Sequence, residues 1–348
     1  MKVFIAEWMR SGGMASLSTS ESTDSLLSEG SAMHRAVCLD ASRCCDHVLT
    51  VIDGPLADPL PKNVITFPFD RHCDPIGQWL AIAEACDVAF LIAPETDRIL
   101  SDVVGAFRAK GLPVLACGEA VIHLTTNKLS FADRMLGEGV PHPRTLYLTK
   151  GTQDAIKEPC LTKPLDGCGS MNLRRYSSSR DAYAARTTEN PSSAIIQPLH
   201  HGLDASIACI VREECVDWLP ACRQTIDKRT FAYQGGSGPL GVDLQKRALR
   251  LGKAVIEVLR NPNDQNANQH ALAGFLGIDI LLGETESDDV VIEVNPRLTT
   301  SFIGLRELMK TNLVARMLGL ETAGPLIRKL SVASVEWKPD GRVTVHAS

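Results

Sequence analysis

No run of apolar residues in this 348-residue chain is long enough to cross a membrane, since a spanning helix needs about twenty of them in succession. A basic stripe is missing too, and a net charge of −5 gives no reason to expect a nucleic-acid partner. Eleven cysteines are present, yet no two stand as Cys-x-x-Cys and only Cys44 and Cys45 are close neighbours. A zinc site is therefore not expected, and scattered cysteines of this kind behave as small buried hydrophobes. The dinucleotide fingerprint is absent, because Ser11-Gly12-Gly13-Met14-Ala15-Ser16 lacks the glycine spacing it requires. There is no internal repeat, and no Ser/His/Asp arrangement that would argue for a serine nucleophile. The opening Lys2-Val3-Phe4-Ile5 reads as a strand rather than a leader, so a cytoplasmic location is the expectation.

What is there begins with size. The length favours two or three packed units, and 44% hydrophobic with 22% charged residues is an ordinary globular composition. In the first third, strands are expected at Val3 to Ala6, Val48 to Ile52, Val88 to Ile92 and Val114 to Ala116. Helices are expected at Leu26 to Leu39, Ile76 to Ala85 and Ile99 to Lys110. Apolar strands alternating with helices imply an α/β unit with a parallel sheet covered on both faces. Its functional loops lie at the carboxyl ends of the strands: Glu7 with Ser11-Gly12-Gly13, Asp53-Gly54, and Pro94-Glu95-Thr96-Asp97. The Ser- and Glu-rich stretch from Ser16 to Ser31 is expected to be mobile in part.

Near Thr125 the pattern changes. A short helix over Lys128 to Leu136 precedes strands at Thr145 to Leu148, Leu161 to Pro164 and Ala194 to Gln197. Strands at Ser206 to Val211 and Val216 to Ala221 follow, then Gly235-Gly236-Ser237-Gly238-Pro239, which reads as a mobile loop. Helices are expected over Val242 to Leu259, Asn266 to Ala273 and Ser301 to Leu318, with closing strands within Ser331 to Val345.

Two strand-like runs near the end carry the chemistry: Gly277-Ile278-Asp279-Ile280 and Val290-Val291-Ile292-Glu293-Val294-Asn295-Pro296-Arg297. The polar turn from Gly283 to Asp289 lets them pair as a hairpin. Residues i and i+2 of a strand face the same way, so Glu293, Asn295 and Arg297 share a face, and Asp279 can meet them from the partner strand. An unpaired carboxylate on an apolar strand is costly to bury. Hard oxygen ligands with few protein donors suit Mg²⁺ (or Mn²⁺), which takes phosphate oxygens as further ligands, and that reads as a nucleoside triphosphate site. Upstream, Lys163 ends an apolar strand and is followed by Pro164-Leu165-Asp166-Gly167-Cys168-Gly169-Ser170. A point charge beside glycines whose N–H groups can approach an anion suits a phosphate.

Ile292-Glu293-Val294-Asn295-Pro296-Arg297 resembles the metal-binding strand of the ATP-grasp superfamily of carboxylate–amine ligases. Thr299-Thr300-Ser301-Phe302-Ile303-Gly304-Leu305 and the opening Ile5-Ala6-Glu7-Trp8 resemble the branch that includes the tyramine–glutamate ligases of methanofuran biosynthesis. The resemblance implies an ATP-grasp fold, with an N-terminal parallel-sheet domain over 1–122, a small central α+β nucleotide lid over 123–199 and a C-terminal α+β unit with the metal site over 200–348. It implies ATP bound by Lys128, Lys163, Gly167, Gly169, Ser170, Gln197, Pro198, Leu199 and Asp204. Because Pro198 has no N–H, adenine would meet the 197 carbonyl and the 199 N–H. Asp279, Glu293 and Asn295 would hold the metal, and Arg297 with Arg223 the transferred phosphoryl group. For Arg223 a surface ion pair fits equally well.

The implied activity is an ADP-forming ligation through an acylphosphate, on small-molecule amino-acid and amine substrates, in the biosynthesis of a C1-carrier cofactor. Arg297, Thr299 and Ser301 suit a substrate carboxylate. Glu7 and Glu95 suit an ammonium group, or are ordinary loop acids. Another amino-acid or dipeptide ligase of the superfamily, and a non-catalytic ATP-binding regulator, stay open as alternatives, as do monomer and homodimer. His200 and His201 have no assigned role.

Overall fold

The computed structural model describes residues 1–13, 21–56, 58–166, 173–185, 194–213, 215–260, 271–320 and 332–347. Four parallel strands open the chain: β1 (Lys2–Glu7), β2 (His47–Ile52), β3 (Val64–Pro68) and β4 (Val88–Ile92), in the order β3-β2-β1-β4. β1 is buried along nearly its whole length, as a strand covered on both faces must be. The cover comes from α1 (Glu21–Ser42), α2 (Pro75–Ala83) and α3 (Ile99–Ala109). Asp74 caps α2, its side chain accepting from the Gly77 N–H at 2.8 Å, with Pro75 in the first turn. Two expectations change here. β3 is an unexpected edge strand, mostly exposed and ended by proline although its Val64-Ile65-Thr66-Phe67 suits a strand. The strand expected at Val114 to Ala116 reduces to a single parallel bridge between Ala89 and Val114. From Glu21 onward the Ser-rich stretch is helix α1; residues 16–20 of it lie outside the described residues.

Two short helices, α4 (Glu119–Thr126) and α5 (Lys128–Gly137), lead out of this unit, the second capped by the Asn127 side chain. A small antiparallel sheet follows, with β5 (Leu146–Tyr147), β6 (Cys160–Pro164), β7 (Arg174–Tyr176) and β8 (Ala194–Pro198) in the order β5-β8-β6-β7, and helix α6 (Ser179–Ala185) against it. It has its own small core of Leu148, Ile156, Cys160, Ala182 and Ile196.

The third sheet has eight strands: β9 (Leu203–Arg212), β10 (Cys215–Trp218), β11 (Cys222–Ile226), β12 (Tyr233–Gly238), β13 (Gly274–Leu282), β14 (Val290–Asn295), β15 (Ser334–Trp337) and β16 (Val343–His346). Helices α7 (Val242–Arg260), α8 (Ser301–Leu308) and α9 (Leu313–Met317) pack with it. The order is β14-β13-β9-β11-β12-β15-β16, with β10 paired to β9. Its core is continuous with that of the first sheet: Phe4 and Leu91 share one cluster with Ile207, Leu276 and Ile278.

Gly235 to Gly238, read from sequence as a mobile loop, is strand β12 between β11 and β15. Gly235 has φ +122°, and a side chain there would run into the Trp337 backbone, so these glycines serve close strand approach. The helix expected over Ser301 to Leu318 breaks at Met309, and Asn312 caps the second piece by accepting from Val314 and Ala315 at 3.0 and 3.1 Å. No helix covers residues 271–273; the rest of that expected helix, 266–270, lies outside the described residues. Among the described residues no helix is long and apolar enough to cross a membrane.

Candidate functional site

A cavity of about 960 Å³ opens where the three sheets meet. At one end stands the expected hairpin: β13 and β14 pair antiparallel, with Asp279 opposite Glu293 and Gly277 opposite Asn295. A register shift immediately after Asp279 lets it and Glu293 stay directly across from one another. Asn295 Nδ2 donates to Asp279 Oδ2 at 3.2 Å, and Gln224 Nε2 on β11 donates to Asp279 Oδ1 at 2.7 Å. Burial, reinforced by Glu293, pushes the Asp279 carboxyl well above the usual carboxylate range. Burial acts on Glu293 in the same sense, but Lys128, Lys163 and Arg297 outweigh it and hold Glu293 below its ordinary value. Lys128 Nζ lies 3.7 Å from Glu293 Oε2.

Lys163 sits at the end of β6, 6% exposed and facing the cavity. Burial drops its ammonium to about 8, with Lys128 acting in the same direction and Glu293 and Asp279 against it. Two carboxylates and an amide side chain share this end with two lysines. Hard oxygen donors without sulfur or imidazole fit Mg²⁺ or Mn²⁺, and a cation between the two facing carboxylates would relieve the repulsion that Glu293 exerts on Asp279. Among the described residues there is no cluster of three His, Cys, Asp or Glu side chains suited to a metal, so the set rests on Asn295 as its third member.

Arg297, Thr299 and Ser301 line the cavity beyond the hairpin, with 2.8 Å between the Thr299 and Ser301 hydroxyls. Pro198, Leu199, His200, His201 and Asp204 also line the cavity, and Asp204 pairs with Lys228. Gln197 also borders the cavity, although its side-chain amide donates to Thr145 Oγ1 at 2.7 Å and is buried. Glu7, at the end of β1, is 3% exposed and faces the cavity. Gly167, Cys168, Gly169 and Ser170 lie outside the described residues.

Three expectations are corrected by these positions. Arg223 is exposed and absent from the cavity wall. Its neighbours in strand phase, Cys222 and Gln224, face inward, so alternation sends Arg223 to the other side. The Leu199 N–H, expected at an adenine edge, donates instead to the Pro159 carbonyl at 2.8 Å, because the pairing of β8 with β6 continues past Pro198. Glu95 does not line the cavity; it forms an ion pair with Arg297 at 2.9 Å, behind the wall, with its Oε1 buried and unbonded.

Sequence reasoning also passed over residues that belong to the site. Gln224 was overshadowed by the adjacent arginine, though the phase of β11 points to it. Tyr233, Lys228 and Glu29 line the cavity from a strand, a turn and helix α1. Tyr233 accepts from Trp337 Nε1 at 2.8 Å, and burial raises its phenol far above the usual range. Only the spacing of Leu26, Glu29 and Met33 along α1 hinted at Glu29, as an acid within an apolar face.

Comparison with known proteins gives this geometry a place. An ATP-grasp domain matches residues 125–301, and a pre-ATP-grasp domain matches residues 47–122. The chain is 25% identical over 234 residues to a tyramine–L-glutamate ligase of Methanocaldococcus jannaschii, covering 64% of this chain and 60% of that protein. It is 24% identical over 296 residues to a tyramine–L-glutamate ligase of Methanocaldococcus fervens, covering 81% of this chain and 84% of that protein. The fold superposes on a crystal structure from Archaeoglobus fulgidus described as of the ATP-grasp superfamily, with a TM-score of 0.70 at 18% identity, over 97% of this chain and 92% of the other. Since the ATP-grasp match alone spans more than half of its length, the chain belongs to the ATP-grasp family.

Proposed function

We propose that this protein is an ATP-dependent ligase that joins the carboxylate of an amino acid, glutamate, to a primary amine such as tyramine, in the biosynthesis of a methanofuran-type C1-carrier cofactor. The observation that carries the reading is the pairing of Asp279 and Glu293 across one hairpin, in the same cavity as Lys128 and Lys163. Three units, 1–122, 123–199 and 200–348, divide the work in this reading. The separate small core of the middle sheet suits it to act as the lid over the nucleotide.

Mg²⁺ or Mn²⁺, held by Asp279, Glu293 and the Asn295 amide oxygen, would neutralise charge on the phosphoryl group being transferred. The chain's own side chains do the rest. Lys163 and Lys128 are fixed positive charges beside the place where a triphosphate lies, and fixed charges in a site shielded from water stabilise developing anions without reorganising. Gln224 holds the Asp279 carboxyl in place through one hydrogen bond and Asn295 through another. Arg297, kept in orientation by its ion pair with Glu95, and the Thr299 and Ser301 hydroxyls would position the substrate carboxylate. Its oxygen attacks the γ-phosphorus and ADP leaves; the neutral amine nitrogen then attacks the acyl carbon, phosphate departs and the nitrogen loses a proton. Positioning supplies much of the rate in such chemistry.

The test is ADP release from ATP, Mg²⁺ and glutamate with a panel of amines. Release with tyramine or close analogues is the expected result. Release only with α-amino acids as acceptors would replace the amine, and ATP binding without turnover on any pair would overturn the ligase reading.

A further inference from the structure

The part of the cavity lined by the end of β1 and by helix α1 has a different character from the hairpin. Helix α1 presents Leu26, Glu29, Gly30 and Met33 to it, and offsets of three, four and seven residues put these on one helical face. Trp8 and Met9, both buried, complete an apolar wall. Within that wall stand two carboxylates. Glu7 accepts a hydrogen bond from the Arg10 backbone N–H at 2.8 Å, and Glu29 accepts one from Thr300 Oγ1 at 3.3 Å. Neither forms an ion pair among the described residues; Arg297, ion-paired to Glu95, lowers the pKa of both and Arg10 that of Glu7, but burial outweighs them. Gly30 makes the arrangement possible, because a side chain there would overlap the Glu7 carboxyl.

Carboxylates in an apolar pocket whose burial outweighs the cations around them either hold a proton or gain from a ligand that brings the opposite charge. Burial raises both Glu7 and Glu29 above the ordinary range, which is the same cost seen from the proton's side. The apolar surroundings add a second requirement, that the cation be carried on a hydrophobic body. A carboxylate on the same ligand would be repelled by Glu7 and Glu29, and Arg297, the cation that acts on both, is assigned in this reading to the carboxylate of the other substrate.

We propose that Glu29, with Leu26 and Met33 beside it on α1, forms the pocket for the amine substrate, and that this pocket admits a primary amine on an apolar or aromatic body while rejecting α-amino acids. The assignment deepens the ligase reading and rests on it. It also fixes the order of the two substrates in the cavity: Thr300 ties Glu29 to the segment between Thr299 and Ser301, so the amine lies next to the place proposed for the acyl group.

The experiment uses the full chain and the isosteric variant Glu29→Gln, whose melting temperature checks that it is folded. Calorimetric titration with tyramine, and with tyrosine as the analogue bearing a carboxylate, is run in the presence of ADP and Mg²⁺, and KM is measured separately for amine, glutamate and ATP. Loss of one charge partner predicts amine binding weaker by about tenfold or more in the variant, at about 1.4 kcal/mol per tenfold, with the KM of glutamate and ATP within about twofold. Tyrosine is expected to bind the unaltered protein about a hundredfold more weakly than tyramine, and the gap to narrow in the variant. A shift in the glutamate KM with the amine unaffected, equal binding of tyrosine and tyramine, or no amine binding at all would overturn the pocket. Amine binding that depends on Glu29 without ADP release on any substrate pair would keep the pocket and remove the ligase reading. Amine-dependent ADP release that ignores the substitution would do the reverse.

Discussion

At the hairpin end of the cavity Glu293 stands 3.7 Å from the Lys128 ammonium, and Lys163 and Arg297 add to the charge that keeps it ionised. At the α1 end Glu7 and Glu29 have hydrogen bonds but no ion pair among the described residues, and burial outweighs those bonds and the pull of Arg297. The same side-chain chemistry is thus balanced in one place and left open in the other. Where a polyanion is to be bound, the protein brings its own cations and interleaves them with acids that suit a metal. At the end proposed for the amine, it brings acids whose burial outweighs the cations near them. The sign of the missing charge is more informative about a ligand than the acids themselves.

The sharpest way to break this contrast is to remove the balanced acid. Glu293→Gln deletes one negative charge with almost no change in volume. Ligation should fall by about a thousandfold or more, the scale seen when a group aimed at developing charge is lost, while the melting temperature stays within a few degrees. ADP release at saturating Mg²⁺ measures it, and activity within about tenfold of the parent would remove Glu293 from the metal set. Next in size is Glu7, from the unbalanced end. Burial lifts its carboxyl from an ordinary 4.5 to about 7. Between those values the folded protein holds a proton that the unfolded chain has released, so stability falls as pH rises through that window, by up to about 3 kcal/mol. Glu7→Gln cannot ionise and should escape that loss. Denaturant titrations of both proteins at pH 4.5 and pH 8 should therefore diverge at the higher pH only. Parallel behaviour at the two pH values would mean that the α1 end is compensated after all.

The two ends also differ in how far they could be read from the chain. The hairpin was legible because Asp279, Glu293, Asn295 and Arg297 lie within one local element, where a period of two decides which groups face together. The parallel sheet was legible for a similar reason: β1, β2 and β4 are short apolar runs between turns. The α1 end was not, since Glu29 and Thr300 stand 271 residues apart and only the packing of α1 against the segment before α8 brings them together. Gln224 and Arg223 show a subtler failure. Guanidinium chemistry suggested the arginine, but the burial of Cys222 fixes the phase of β11 and gives the cavity to the glutamine. The glycine strand β12 escaped because its residues, taken alone, resemble a turn, whereas edge strand β3, Val64-Ile65-Thr66-Phe67, carried strand-forming residues that were passed over.

A smaller effect is expected from Lys163→Ala, which moves the hairpin end toward the condition of the α1 end. A charged contact to a phosphate contributes about 1.5–3 kcal/mol, or roughly ten- to a hundredfold in Kd, and calorimetry with ATP and Mg²⁺ reads it directly. Unchanged affinity would mean that Lys163 serves only to offset Glu293 and Asp279.

The smallest effect belongs to Arg223, and it is the control that keeps the comparison honest. Its guanidinium is exposed on the face of β11 opposite to Gln224, and isolated surface charges contribute about 0–1 kcal/mol. Arg223→Ala should change ATP affinity and ligation by no more than about twofold. Gln224→Leu, one residue along, removes the 2.7 Å donation to Asp279 and leaves that oxygen unsatisfied, a cost of about 1–3 kcal/mol. The two residues stand on opposite faces of β11, the charged one away from the cavity and the neutral one in it, so kinetics on both variants ask whether position or charge decides membership of the site. If Arg223→Ala proves the more damaging, β11 must present its other face when substrates are bound, and the balance drawn for the hairpin end would need a further cation.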